Sequence, residues 1–281
     1  MTVPNFLVIG DIKAGSSSIY HYLRQHPDVF MPSDIKELRY FSFDAGNSYH
    51  QKANAYRVHS MEAYLKYFSG AAGKTAIGEA SPNYLRSPIA ASQISCALPH
   101  VRLIVSLRNP ADRLFSLYQM DLRSGRTQKD FDEEVFGRDA AAIKAGFYYP
   151  DLRRYFDRFD AASIKVVLFD ELAANPLAIT RDLYRFLNVA DDFRPDVALQ
   201  NEGGMPKNTA LTFLLRRARA SVKLIPHKPA FLRRPWMTVK RRSLKKVSIN
   251  PGTRLKILEI CREDILETQK LIGRDLSGWL P

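Results

Sequence analysis

The sequence predicts an α/β fold, with a central parallel sheet, flanking helices and a P-loop-like turn after the first strand. Three features predict it. Short continuous apolar runs with β-branched members alternate with stretches of helical periodicity over residues 1–190, as in a parallel sheet with crossover helices. The first run, Phe6 to Ile9, feeds a loop bracketed by Gly10 and Gly15 and then a helix, the arrangement that cradles a phosphate. A chain of 281 residues, 46% of them apolar, can bury one full core. We expect a single domain over 1–281, with a nucleotide-binding core at 1–200 and a basic, mostly helical tail at 201–281 packed on it.

Residues 6–9 make the first strand. Ser16, Ser17 and Ser18 precede Ile19, Tyr22 and Leu23 at helical spacing, so a helix begins near Ser16. His26-Pro27-Asp28 ends it, with His26 fixing the turn. A short extended piece follows, and then Lys36-Glu37 ahead of the aromatic pair Tyr40-Phe41. Residues 44–59 are polar and irregular in pattern, and 62–68 form a short helix with Tyr64, Leu65 and Phe68 on one side. Gly73-Lys74-Thr75 reads as a turn leading into a strand at 75–79. A helix at 89–98, a buried strand at 102–107 and a helix opened by Pro110 come next. Residues 131–145 are helical in part, 151–159 form an amphipathic helix, 164–169 a strand and 176–187 a helix. From 253 to 272 one helical period runs through Leu255, Leu258, Ile265 and Leu266. In this architecture ligands bind at the carboxyl ends of strands. Lys13, Glu79 and Arg108 fall at or just past such ends and are expected to converge.

The loop is directed at phosphate, yet it is not a triphosphatase loop. That pattern places lysine directly after the second glycine, with a hydroxyl beside it for magnesium. Here Lys13 precedes Gly15 by two residues, and the hydroxyls of Ser16, Ser17 and Ser18 follow. An ordinary strand-to-helix turn would share the glycines and serines. A second anion-directed element lies about 95 residues on. Arg108 leaves a strand end, and Ser116 sits on the helix that follows. Two separate anion sites suit a nucleotide phosphorylated at both ends of its ribose.

The net charge of +13 is concentrated. Residues 205–246 hold 13 Lys and Arg and no Asp or Glu, while the rest of the chain holds 29 basic and 29 acidic residues. Such a block favours anionic partners. Its aromatics are sparse, so nucleic acid is a poor fit. Leu211, Leu214 and Leu215 alternate with Arg216, Arg217 and Arg219, a face suited to an anionic membrane or an acidic polysaccharide. A solvated surface or a structural cap would look the same. Cys96 and Cys261 are too few and too far apart for a disulfide framework or a metal site. No signal peptide is recognisable, and no apolar run approaches the roughly 18 residues that span a bilayer. The expected location is cytoplasmic and soluble.

These motifs resemble those of sulfotransferases that use 3′-phosphoadenylyl sulfate (PAPS). The run G-x-x-K-x-G-S-S-S at 10–18 resembles their 5′-phosphosulfate loop. Leu107-Arg108-Asn109-Pro110-x-x-Arg113-x-x-Ser116-x-Tyr118 resembles their 3′-phosphate motif. Further matches are His26-Pro27-Asp28, Lys36-Glu37-x-x-Tyr40-Phe41, Gly78-Glu79-x-Ser81-Pro82-x-Tyr84, Gly146-x-Tyr148-x-x-x-Leu152 and the last residues, 273–280. The resemblance covers nearly the whole chain and is greatest to the glycosaminoglycan (heparan-type) branch and its bacterial relatives.

The resemblance implies transfer of a sulfuryl group from PAPS to an acceptor hydroxyl or amine on a carbohydrate or glycolipid, leaving adenosine 3′,5′-bisphosphate (PAP). No metal is implied. Lys13, Ala14, Gly15, Ser16, Ser17 and Ser18 would hold the 5′ side, with Lys13 also serving catalysis by stabilising the leaving nucleotide. Arg108 and Ser116 would hold the 3′-phosphate, Lys207 would close over the nucleotide, and Glu37 would be the general base. Leu38 and Arg39 depart from the proline and histidine common after that glutamate, and Ala80 replaces a lysine that contacts acidic substrate. Both departures put a heparan-like acceptor in doubt. The competing readings are a nucleotide kinase, which would need triphosphate and magnesium, and a nucleic-acid or membrane-surface binder using residues 205–246.

Overall fold

A computed structural model describes residues 2–44, 46, 58–137, 141–197, 205–206, 244–245 and 247–281. Five strands, β1 (Phe6–Gly10), β2 (Val29–Phe30), β3 (Ala76–Ala80), β4 (Arg102–Leu107) and β5 (Ile164–Leu168), form a sheet in the order β2-β3-β1-β4-β5. Every pairing is parallel. β1 and β3 are buried at all positions, so β1 reads as an unbroken apolar run and not as an alternation, while β3 carries Gly78 and the buried Glu79. Phe6 pairs with Gly78. A Cβ at position 78 would stand 2.3 Å from the Phe6 carbonyl oxygen, so only glycine lets the two strands approach there. The chain leaves β1 toward the edge strand β2, and later leaves β3 toward β4 on the other side. Connections diverge around β1, and the carboxyl end of such a strand is where α/β sheets hold ligands.

The helices are α1 (Ser16–Leu23), α2 (Met61–Lys66), α3 (Ala90–Ala97), α4 (Pro110–Ser124), α5 (Phe131–Phe136), α6 (Ala141–Lys144), α7 (Tyr149–Phe156), α8 (Phe169–Ala174), α9 (Pro176–Phe186), α10 (Pro251–Ile260) and α11 (Arg262–Ile272). Pro110 opens α4 as its position predicts. The last expected strand stops one residue early, because Phe169 begins α8. The single helical period expected over 253–272 is two helices, broken at Cys261. Leu255, expected on the buried stripe, is 47% exposed. The apolar residues of α10 are spread around its axis: Ile257 and Leu258 are buried, while Leu255 and Ile260 face outward.

Two compact units are distinguished by contact density. The first comprises residues 1–109, 147–200 and 261–280 and contains the sheet. In its core, Phe6, Val8, Ile104 and Val167 of the sheet cluster with Ile19, Tyr20 and Leu23 of α1 and Leu183 and Tyr184 of α9. His26 is buried there: its Nε2 lies 2.8 Å from the Ala190 carbonyl oxygen, and its Nδ1 accepts from the Asp28 N–H. It fixes the turn after α1, as expected.

The second unit comprises 110–146, 201–260 and 281. In it Arg254 on α10 bonds Asp112 on α4 at 3.1 Å, and the Thr253 hydroxyl bonds Asp132 at 2.8 Å. Met205 and Pro206 pair antiparallel with Lys245 and Leu244, so the ends of the basic segment meet. Lys207, Arg216, Arg217 and Arg219 lie outside the described residues, and so does the amphipathic stretch expected there. Among the described residues no helix is long and apolar enough to cross a membrane.

Candidate active site

β1 runs out at Gly10, and residues 11–15 turn the chain into α1. Gly15 makes the turn with φ 95, where a Cβ would stand 2.9 Å from Leu172 Cδ2. Lys13 is also left-handed, with φ 71. The helix opens at Ser16, but the glycine occupies the cap position, with no side-chain cap bond. The Ser16 and Ser17 hydroxyls instead receive the Lys36 ammonium, at 3.3 and 3.0 Å.

The base of the loop is held by Asp11, which is fully buried. Its N–H donates to the Ser106 carbonyl at the end of β4, 2.6 Å away. Its carboxylate takes the Ile12 N–H at 2.6 Å and the Arg86 guanidinium at 2.6 Å. Arg86 in turn reaches Asp151 at 2.7 Å and the Phe147 carbonyl. Residues 75 and 140 positions away thus anchor the loop, and no local spacing in the sequence signals them.

Arg108 follows β4 and comes to the loop. Its guanidinium donates to the Lys13 carbonyl at 3.3 Å and lies 4.3 Å from the centre of the Phe169 ring. The Tyr148 hydroxyl donates to the Arg108 carbonyl at 2.7 Å, and Asp264 takes the Tyr148 and Tyr149 N–H groups. The expected convergence of Lys13 and Arg108 is therefore present. Ser116 lies on α4, in the second unit. Arg113, on the same helix, is buried and donates to the Ala145 carbonyl.

Glu37 lies in the segment after β2. Its carboxylate meets Lys36 at 3.5 Å and Arg39 Nε at 3.1 Å, with 28% of the side chain exposed. The segment rests on residues 78–84. The Arg39 N–H donates to the Ser81 hydroxyl at 2.9 Å, and the Phe41 N–H to the Tyr84 hydroxyl at 3.4 Å. Ser81 donates onward to Glu79 at 2.7 Å. The Tyr84 hydroxyl and the Leu38 backbone also favour the ionised form of the Glu79 carboxyl. Arg39 takes a left-handed conformation, φ 57, on this support. Glu79 is thus a buried prop beneath the Glu37 segment and does not line an open site.

Burial pushes the Glu79 carboxyl up to about 7, with the Glu37 charge adding to the rise and the Tyr84, Ser81 and Leu38 bonds opposing it. An unfolded glutamate ionises near pH 4.5. Between there and about 7 the folded chain holds a proton that the unfolded chain has lost, so stability falls as pH rises through this window, by roughly 3 kcal/mol in all. Glu79→Gln is expected to flatten that decline. Urea titrations at pH 5 and 8 measure it, and an unchanged pH slope would contradict the burial of a protonated carboxyl.

The chain is similar to known proteins. The family described as "Sulfotransferase domain" matches residues 4–202. A sulfotransferase from Alicyclobacillus acidocaldarius superposes with a TM-score of 0.74 at 28% identity, covering 99% of each chain. The bifunctional heparan sulfate N-deacetylase/N-sulfotransferase 1 of Caenorhabditis briggsae is 25% identical over 211 residues, 68% of this chain and 23% of that protein. The membrane-associated sulfotransferase kil1 of Dictyostelium discoideum is 32% identical over 126 residues, 44% of this chain and 24% of that protein. The chain spans about a quarter of the length of these curated relatives.

Proposed function

Since the chain belongs to the sulfotransferase family, we propose that it transfers a sulfuryl group from PAPS to a hydroxyl or amine of a carbohydrate or glycolipid. One observation carries this most directly. The Lys36 ammonium is 3.0 Å from Ser17 in the phosphate loop and 3.5 Å from Glu37, so loop and base share one centre. A helix N-terminus with two hydroxyls, Lys13 and Arg108 is a cationic cradle for the donor's phosphates. Lys13, Ala14, Gly15, Ser16, Ser17 and Ser18 would take the 5′-phosphosulfate, and Arg108 with Ser116 the 3′-phosphate. Lys207 would close over the nucleotide. The acceptor oxygen or nitrogen attacks sulfur as its proton passes to Glu37. The bond from sulfur to the bridging oxygen breaks, and its electron pair stays with the 5′-phosphate of PAP, where Lys13 and the loop N–H groups stabilise the charge. The donor is already activated, so this chemistry calls for no metal.

A carbohydrate acceptor is supported by relatives named for heparan sulfate and by the 13 positive charges of residues 205–246. Transfer of labelled sulfate from PAPS to a panel of glycans, glycolipids and cell extracts would identify the acceptor. The donor is tested separately. Arg108→Ala is expected to cost about ten- to a hundredfold in PAP affinity, and little for AMP, as the loss of one charge-assisted contact. Calorimetry without magnesium reads both. Equal binding of AMP and PAP by the unaltered protein would overturn the donor assignment.

A further inference from the structure

Lys36 belongs to neither the phosphate loop nor the residues assigned to catalysis. It follows β2, yet its ammonium is spent on three acceptors: the Ser17 hydroxyl at 3.0 Å, the Ser16 hydroxyl at 3.3 Å and a Glu37 oxygen at 3.5 Å. An ammonium has three donors, so these contacts use all of them. They also set its place, between the end of the cradle and the carboxylate that would take the proton. A group passing from the donor's phosphate to an acceptor held at Glu37 must cross that place.

Resting on the sulfuryl-transfer reading above, we propose that Lys36 binds the sulfuryl oxygens of the donor, giving up its serine contacts for them and holding the group in line for transfer. The exchange is favourable in kind. Two neutral hydroxyls are replaced by anionic oxygens, and charge-assisted bonds are roughly twice as strong as neutral ones. Burial disfavours the Lys36 charge, with the Glu37 carboxylate opposing, so a second anion beside it is stabilising. The Glu37 contact is kept, so Lys36 then bridges the donor's sulfuryl group and the carboxylate. PAP has no sulfuryl group, so Lys36 distinguishes the donor from the spent product.

That difference is the test. Calorimetry with PAPS and with PAP, without acceptor, is run on the unaltered chain, Lys36→Met and Lys36→Arg. Lys36→Met is expected to lose about ten- to a hundredfold in PAPS affinity and to bind PAP as before. Lys36→Arg, which keeps the charge, recovers most of the loss. Equal losses for the two nucleotides would make Lys36 a phosphate or loop contact and overturn the proposal, as would no loss for either. Should Lys36→Met fail to fold, Lys36→Gln carries the same expectation and the same overturning results. Failure of the unaltered chain to bind either nucleotide would instead overturn the sulfuryl-transfer reading, and the role of Lys36 with it.

Discussion

Replacing Glu37 by glutamine is expected to lower turnover about 10²- to 10⁴-fold, the range lost when a positioned general base is removed. Nucleotide affinity should stay the same, because Glu37 lies beside the cradle and is not part of it. Stability should barely move. The ion pairs of Glu37 with Lys36 and Arg39 are partly exposed, and pairs of that kind contribute about 0–1 kcal/mol. Glutamine also keeps an oxygen for the Arg39 guanidinium. In the proposed reaction, Glu37 has to loosen one of its two cations before it takes a proton. Single-turnover measurements at saturating PAPS separate this loss from any change in binding. Turnover at the parent rate would remove Glu37 from the reaction. Glu79 could not then step in without a rearrangement, since it is fully buried under residues 38–41.

The parts of this molecule that were legible in the sequence are those encoded locally. β1 and, after its first residue, β4 are buried throughout, and their mostly apolar runs announce them within a residue or two. The loop was legible because glycine and lysine spacing reflects backbone conformation, here the left-handed Lys13 and Gly15. The meeting of Lys13 with Arg108 followed from topology, since parallel strands present their carboxyl ends on one edge. The support for the site was not legible. Asp11 and Arg86 are 75 residues apart, and neither stands in a pattern that distinguishes a buried ion pair from a surface one. Glu79 sits at a strand end like any candidate ligand, and only the fold shows the Lys36–Glu37 segment lying over it. Leu255 misled because periodicity ignores which side of a helix is covered. Arg39 in a left-handed turn carries no local signal, since the Ser81 hydroxyl that takes its N–H lies 42 residues away.

Removing Arg86 is expected to damage both stability and donor binding, through one cause. Asp11 is fully buried, and its carboxylate faces the Arg86 guanidinium at 2.6 Å. Taking one partner from a buried pair strands the other charge, at a cost of about 3–5 kcal/mol. Arg86 keeps 22% of its side chain exposed, so water can partly substitute for it and the lower end applies. Arg86→Met keeps part of the apolar stem and removes the guanidinium, with its charge, its hydrogen bonds and its place 5.1 Å from the centre of the Tyr148 ring. Urea unfolding should show the loss, and calorimetry should show weaker PAP binding, because the Asp11 carboxylate also holds the Ile12 N–H at the start of the loop. Adding Asp11→Asn to Arg86→Met removes the stranded charge and should restore part of the stability. It should not restore PAP affinity, since the tie from the loop to Asp151 and Phe147 stays broken. A single variant as stable as the parent would show that the pair does not anchor the loop. A double variant no better than the single one would place the loss in the Asp151 and Phe147 contacts instead.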